Sequence, residues 1–192
     1  MLFRSRRFVV STYQSVSGTG RQAIDELRSQ TEAFVRGEEP VTEAYPHPIA
    51  FNVLPQIGSL KPELPGYTSE ELKMLRETHK ILGDDSIRVS ATCVRVPVFY
   101  GHAEAINVEF ERPVTPEEAR DILAAAPGVK VVDNPDAKEY PLPLEVAGKD
   151  DVYVGRIRPD ESAANGLALF VAGDNIRKGA ALNAVQTAEA LA

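Results

Sequence analysis

With a single cysteine, Cys93, in 192 residues, the chain has no internal disulfide framework and no metal site built on several thiolates. The three histidines, His47, His79 and His102, lack the HxxxH or HxxE spacing of zinc ligands, so nothing points to a metal enzyme. No apolar run approaches the roughly 18 residues that a membrane-spanning helix needs. The opening MLFRSRRFVV has too short an apolar stretch, ending in STYQ, for a secretory signal, and the cytoplasm is the expected location. Basic residues are in deficit, 21 Lys and Arg against 28 Asp and Glu, and a net charge of −7 lacks the basic face that nucleic-acid binding requires. An anionic small molecule is not excluded, because a few converging cations can dominate one pocket. A phosphate-cradling glycine loop after a strand is also missing. The nearest approach, SGTG at Ser17 to Gly20, is half a motif.

What is present is the composition of a soluble globular protein, 43% hydrophobic and 26% charged, long enough for its own core. Phe8 to Gln14 is rich in β-branched and aromatic residues and predicts a strand that ends at the turn residues SVSGTG. Arg21 to Val35 sets Ile24, Leu27 and Val35 among charges, an amphipathic helix. The proline-rich stretch from Glu38 to Pro65 predicts a long ordered loop around a short strand at Ile49 to Leu54. Thr68-Ser69-Glu70-Glu71 is a capping-box pattern that opens a helix running to Leu82, before Gly83. Ile87 to Phe99 and Ala103 to Phe110 read as strands, and the YGH turn between them predicts an antiparallel pair. Pro113 to Ala125 predicts a helix with Thr115 as its N-cap and Pro116 in its first position. Val129 to Val132, Val152 to Ile157 and Leu167 to Val171 are further strands, and a last helix spans Ile176 to Leu191. Strands with interspersed helices give an α+β domain with a mixed β-sheet.

On physical grounds alone Arg95 is the best site residue, because a charge inside an apolar strand needs a partner or a ligand. Other polar residues carry an ordinary reading beside a functional one. Glu70, Lys73, Glu77 and Lys80 recur at helical spacing, which fits a solvated salt-bridged face. His102 is in phase with an inward strand face, where a lone histidine is usually a satisfied core residue. Gln14 could bond turn backbone, and Asn175 could simply cap the last helix. Cys93 lies mid-strand and reads as a small hydrophobe.

Four blocks, in order and over nearly the whole chain from Val9, resemble the aspartate-semialdehyde dehydrogenase family. They are STYQSVSGTG (Ser11 to Gly20), SEELKMLRETHKIL (Ser69 to Leu82), VSATCVRVPVFYGHAEA (Val89 to Ala105) and VAGDNIRKGAALNAVQTAE (Val171 to Glu189). The resemblance implies the fold of the C-terminal domain of glyceraldehyde-3-phosphate dehydrogenase-type enzymes, a mixed sheet with helices on one face. It also implies the NADP-dependent, phosphorylating interconversion of L-aspartate 4-semialdehyde and L-4-aspartyl phosphate, at the branch toward lysine, methionine and threonine. By motif match Gln14 orients the substrate and His102 is the general acid/base. Arg95 clamps the substrate α-carboxylate, Glu70 its amino group and Lys73 its phosphate. Ser17 and Gly18 touch the cofactor, and Asn175 reaches the nicotinamide carboxamide. The residue types suit these tasks, since a guanidinium matches a carboxylate with two parallel hydrogen bonds and an imidazole titrates near neutral pH.

The family's nucleophilic cysteine and its glycine-rich nucleotide-binding unit have no counterpart in this sequence. The resemblance therefore implies a truncated or split C-terminal half that is inactive alone, a homodimer, and possible pairing with a complementary N-terminal half. Residues 1–8 are expected to be a leader unlike the family, 9–172 the catalytic and dimerisation domain, and 173–192 a helix that packs on the NADP-binding domain. Two other classes compete: a non-catalytic dimerisation or regulatory module of the same fold, and a related reductase acting on another acyl phosphate or thioester.

Overall fold

The structure, a computed structural model, describes residues 4–191. Among the described residues, six strands form one mixed sheet in the order β2-β1-β3-β6-β5-β4. They are β1 (Ser5–Gln14), β2 (Arg88–Arg95), β3 (His102–Phe110), β4 (Val129–Val131), β5 (Val152–Pro159) and β6 (Gly166–Gly173). The helices are α1 (Arg21–Arg36), α2 (Ser69–Leu82), α3 (Pro116–Ala124), the one-turn α4 (Pro143–Val146) and α5 (Leu182–Leu191), the last preceded by a π-helical turn at Arg177–Ala181. The α+β class with a mixed sheet, expected from the sequence, is the observed one.

Local signals translate directly into these elements. Thr68 and Glu71 close a reciprocal capping box at the start of α2, and Thr115 with Glu118 does the same for α3. Each box satisfies two backbone N–H groups that a helix start otherwise leaves unpaired. Gly37 and Gly83 end α1 and α2 in the left-handed conformation.

Two expectations differ from the structure. The antiparallel pairing of the strands around Ile87–Phe99 and Ala103–Phe110 is not formed. β1 lies between them, parallel to β2 and antiparallel to β3, and residues 96–101 cross over its end. Pro97 offers no N–H to a ladder, which ends β2 at Arg95. Ile49 to Leu54 is no strand; apart from a single bridge from Leu54 to Arg95 it is loop. The N–H groups of Ile49 and Ala50 bond the side-chain oxygen of Gln30 instead of a neighbouring strand. Within the stretch 1–8, Ser5 to Phe8 belong to β1, which pairs with β2 and β3; Met1 to Phe3 lie outside the described residues.

The register sorts side chains onto two faces. One carries Phe8, Val10, Thr12 and Gln14 of β1, Ala91, Cys93 and Arg95 of β2, and His102, Glu104 and Val108 of β3. α2 packs beside β2 on this side, and α3 closes the main core through Ala119 against Val108, Val154, Ile157 and Leu167. A second cluster joins α1 (Ala23, Ile24, Leu27) to Val16 and to the loop residues Ile49, Ala50 and Leu54. The opposite sheet face is covered only in part, by Val146 of α4 on Ala103 and Ala172. There Tyr13 stays 40% exposed, its ring 6.0 Å from that of Phe170.

A candidate active-site cleft at the end of the sheet

The strand register builds the site. Gln14 and Arg95 are cross-strand partners. His102, one residue beyond the last β1–β3 pair, falls in line with Gln14 and is itself paired with Gly173. Arg95, Gln14, His102 and Gly173 thus form one row across four strands. Cys93, Thr12, Glu104 and Val171 form the row behind it. The first turn of α2 brings Glu70 and Lys73 to the same place, held there because the Glu71 carboxylate accepts the Cys93 N–H at 3.2 Å and the Thr68 N–H at 2.8 Å. The corner after β6 adds Asp174 and Asn175.

A cleft of about 670 Å³ opens over this row, lined by Gln14, Gly18, Glu70, Lys73, Arg95, His102 and Asn175, with Ile57, Glu104, Asp174 and Lys178 among the rest of the wall. Seven of the eight residues singled out from the sequence line it. The eighth, Ser17, is one hydrogen bond away: its hydroxyl meets both the oxygen and the nitrogen of the Asn175 side chain, at 3.2 and 3.0 Å.

Arg95 is 6% exposed, and its Nη1 donates to the Ser15 carbonyl at 2.7 Å. Burial draws its pKa below the ordinary arginine value, with Tyr45 and Glu70 opposing the shift, and a guanidinium remains charged nonetheless. The Glu70 carboxylate accepts from Gln14 Nε2 at 3.4 Å and lies 3.7 Å from Lys73 Nζ, a partly exposed pair that adds little stability on its own. His102 is the most perturbed titratable group of the cleft. Burial pushes its pKa down to about 4, helped by Arg95 and Lys73 and opposed by Asp174. The neutral imidazole is therefore its form at pH 7, and the expectation of titration near neutrality does not hold for this ring in this chain. Gly18 lies flat against the pair: a Cβ on it would sit 3.0 Å from Arg95 Nη1 and 3.2 Å from His102 Nε2. Glycine is needed there for close approach rather than for an unusual backbone angle.

Asn175 does not cap the last helix. That task falls to Asp174, whose Oδ1 accepts the N–H groups of Ile176 and Arg177, both at 2.8 Å, while Oδ2 accepts from Gly148. Burial alone would raise the Asp174 pKa, but these backbone donors outweigh it and hold it below the ordinary value. Asn175 instead ties three segments together. Its Oδ1 accepts from Ser15 Oγ, Ser17 Oγ and Gly101 N within 3.2 Å.

Cys93 is fully buried, and burial pushes its thiol up to about 11, the opposite of nucleophilic activation. It belongs to the core. Sequence reasoning missed Ser15, Glu104 and Lys178. Glu104 carried a usable signal, being in phase with His102 on an inward strand face. Its carboxyl finds no hydrogen-bonding partner among the described residues, and burial raises its pKa. Ser15 carried none, as a buried serine in a turn looks like any other.

The chain matches the family described as semialdehyde dehydrogenase, dimerisation domain, over residues 2–178. It is similar to the aspartate-semialdehyde dehydrogenase of Aquifex aeolicus, 56% identical over 97% of this chain and 54% of that protein, and to that of Legionella pneumophila, 54% identical over 96% and 53%. Among solved structures, aspartate semialdehyde dehydrogenase II of Vibrio cholerae, complexed with ASA, superposes with a TM-score of 0.93 at 47% identity, covering 98% of this chain and 55% of that one. The chain spans about half the length of the curated relatives it matches.

Proposed function

This chain belongs to the semialdehyde dehydrogenase dimerisation-domain family, and we propose that it supplies the substrate-binding and acid/base half of an NADP-dependent aspartate-semialdehyde dehydrogenase, which interconverts L-aspartate 4-semialdehyde, with phosphate, and L-4-aspartyl phosphate. The observation that carries this reading is convergence. Residues from four separate segments, each matched to the family by motif alone, line a single cleft.

The chemistry of the lining suits an amino-acid aldehyde. Arg95, buried and held by the Ser15 carbonyl, keeps its other N–H groups free for a carboxylate, which a planar guanidinium binds with two parallel bonds. Glu70 offers its carboxylate to the substrate ammonium, and Gln14 steadies Glu70 while keeping its own oxygen for the ligand. Lys73, more than half exposed beside Glu70, is placed as a point charge for phosphate. His102 presents Nε2 to the cleft beside Gly18.

The nucleophilic thiol that the reaction requires is not Cys93; it is assigned to the part of the family's length that this chain does not span. For the cofactor, the residues present fit one end only. Gly18 leaves a bare backbone surface, Ser17 buttresses it, and Asn175 retains one unused Nδ2 hydrogen for a carboxamide oxygen. When bound, the nicotinamide carries the hydride. The partly covered face of the sheet, around Tyr13 and Phe170, is assigned to a second copy of the chain, in keeping with the dimerisation family it matches.

The test is kinetic, with this chain assembled with the remaining half of a family enzyme. Arg95→Ala should raise KM for aspartate semialdehyde by roughly 10- to 100-fold, the worth of a charge-assisted hydrogen-bonded pair. An unchanged KM would remove the clamp and, with it, the substrate assignment.

A further inference from the structure

A second cavity, of about 690 Å³, adjoins the cleft at Arg95 and is lined by Thr19, Tyr45, His47 and Leu54 among others. Ile57 and Arg95 line both spaces and form the boundary between them. Arg95 is accounted for by the carboxylate it holds; Ile57 is not accounted for by packing. It is half-buried in a loop, and among the described residues it joins none of the apolar clusters. Its neighbours along the cleft wall are the charged groups of Arg95, Glu70 and Lys73.

The loop that carries Ile57 is held at both ends. Leu54 exchanges two backbone hydrogen bonds with Arg95, each at 2.9 Å, so the loop leaves directly from the end of β2. At its other end the Ser59 carbonyl accepts the Ser69 N–H at 2.8 Å, and Leu60 bridges Thr68, which ties it to the start of α2. Ile57 sits midway along this short span. Pro55 fixes one backbone angle within it. Gly58 has a left-handed backbone and runs so close to Ser69 that a Cβ would collide with the hydroxyl. With Arg95 at one anchor and Glu70 at the other, the Ile57 side chain has little freedom to swing clear of the cleft.

We propose that Ile57 is a specificity-determining residue, the partition that ends the cleft beside Arg95 and so limits the length of the ligand's carboxylate end. This rests on the function proposed above, in which Arg95 grips the α-carboxylate and Glu70 the ammonium. With those two groups seated, a barrier next to the guanidinium gauges the distance between them. Aspartate semialdehyde, whose carboxylate and amine are borne on the same carbon, fits on the cleft side. A homologue with one extra methylene between the carboxylate and that carbon keeps the spacing from amine to aldehyde. Its carboxylate is pushed toward the second cavity, and Ile57 stands in the path. Arg95 borders both spaces, so a carboxylate admitted past a smaller side chain still meets the guanidinium. Discrimination by an apolar wall of this kind is worth roughly 10- to 200-fold per methylene.

The test compares the two aldehydes as a ratio of kcat/KM values, with this chain assembled with the remaining half of a family enzyme. That ratio does not depend on how much of a preparation is folded. The wild type should prefer aspartate semialdehyde by about 10-fold or more. Ile57→Ala should cut the preference by about 10-fold, and Ile57→Val by less. A merely structural role for Ile57 would lower turnover of both aldehydes alike and leave the ratio unmoved, which overturns the proposal. A wild type that accepts both aldehydes equally overturns it too, because no partition then operates. Should Ile57→Ala fail to fold, Ile57→Val carries the same comparison. A wild type inactive on aspartate semialdehyde sinks the functional reading and this inference with it, whereas normal turnover with an unmoved preference sinks this inference alone.

Discussion

His102 links the site to stability through its proton. The ordinary pKa of 6.5 falls to about 4 in the folded chain, with burial as the largest cause. Between those values the unfolded chain binds the proton and the folded chain does not, so stability rises with pH across that window and is lost as the pH drops through it. The wild-type chain should lose on the order of 3 kcal/mol between pH 7 and pH 4 from this group alone. His102→Asn should lack that part of the slope, as read from urea midpoints at a series of pH values. Parallel slopes in the two proteins would mean that the ring titrates alike folded and unfolded. Glu104 shifts the opposite way, upward, and contributes equally to both proteins, so it cancels in the comparison. Arg95 was legible in the sequence because a charge in an apolar strand demands an explanation. The depressed pKa of His102 was not, since it depends on burial and on cations contributed by β2 and α2.

Among the elements, α1 holds more than an apolar stripe. Glu26 and Gln30, one turn apart, are 6% and 1% exposed and lie in phase with Ala23, Ile24 and Leu27. Gln30 accepts the N–H groups of Ile49 and Ala50 at 2.8 and 3.1 Å and donates to the Val41 carbonyl at 2.8 Å. Glu26 accepts the N–H groups of Glu43 and Ala44. Two side chains thus do for residues 41–50 what a neighbouring strand would have done. Gln30→Leu leaves two buried N–H groups unpaired and should cost roughly 2–4 kcal/mol by urea denaturation; a change under about 0.5 kcal/mol, the size of a surface effect, would refute this account. The sequence offered the clue, polar residues on the buried side of a helix, but the proline-rich stretch was read as holding a short strand at Ile49–Leu54. Capping boxes were readable because both partners lie within four residues. The neighbours of β2 and β3 were not, because alternation tells which way a side chain faces and not which strand lies alongside.

For the whole molecule, the two faces of the sheet have different tasks. One is closed by α2 and α3 and carries the cleft; the other leaves Ser11, Tyr13, Ala105 and Phe170 with little cover. With Tyr13 exposed and its neighbours half-buried, this face is the one assigned above to a second copy of the chain. In a twofold dimer each substitution appears twice in the interface, so Ala105→Arg should convert a dimer to a monomer in sedimentation experiments. A dimer that persists would move the interface elsewhere. Motif matching gave the membership of the cleft, but which face of the sheet is left sparsely covered was not visible without coordinates.

The position of β1 in the sheet has a bearing on how the chain comes into being. Its partners on both sides, Arg88–Arg95 and His102–Phe110, lie some eighty residues and more downstream. During translation the strand leaves the ribosome long before either exists, with Phe8, Val9 and Val10 unpaired and both edges open. Distant pairings of this sort slow folding, and an unpaired apolar strand is a template for aggregation. The yield of soluble protein should therefore depend on how β1 is sheltered while the ribosome finishes β2 and β3.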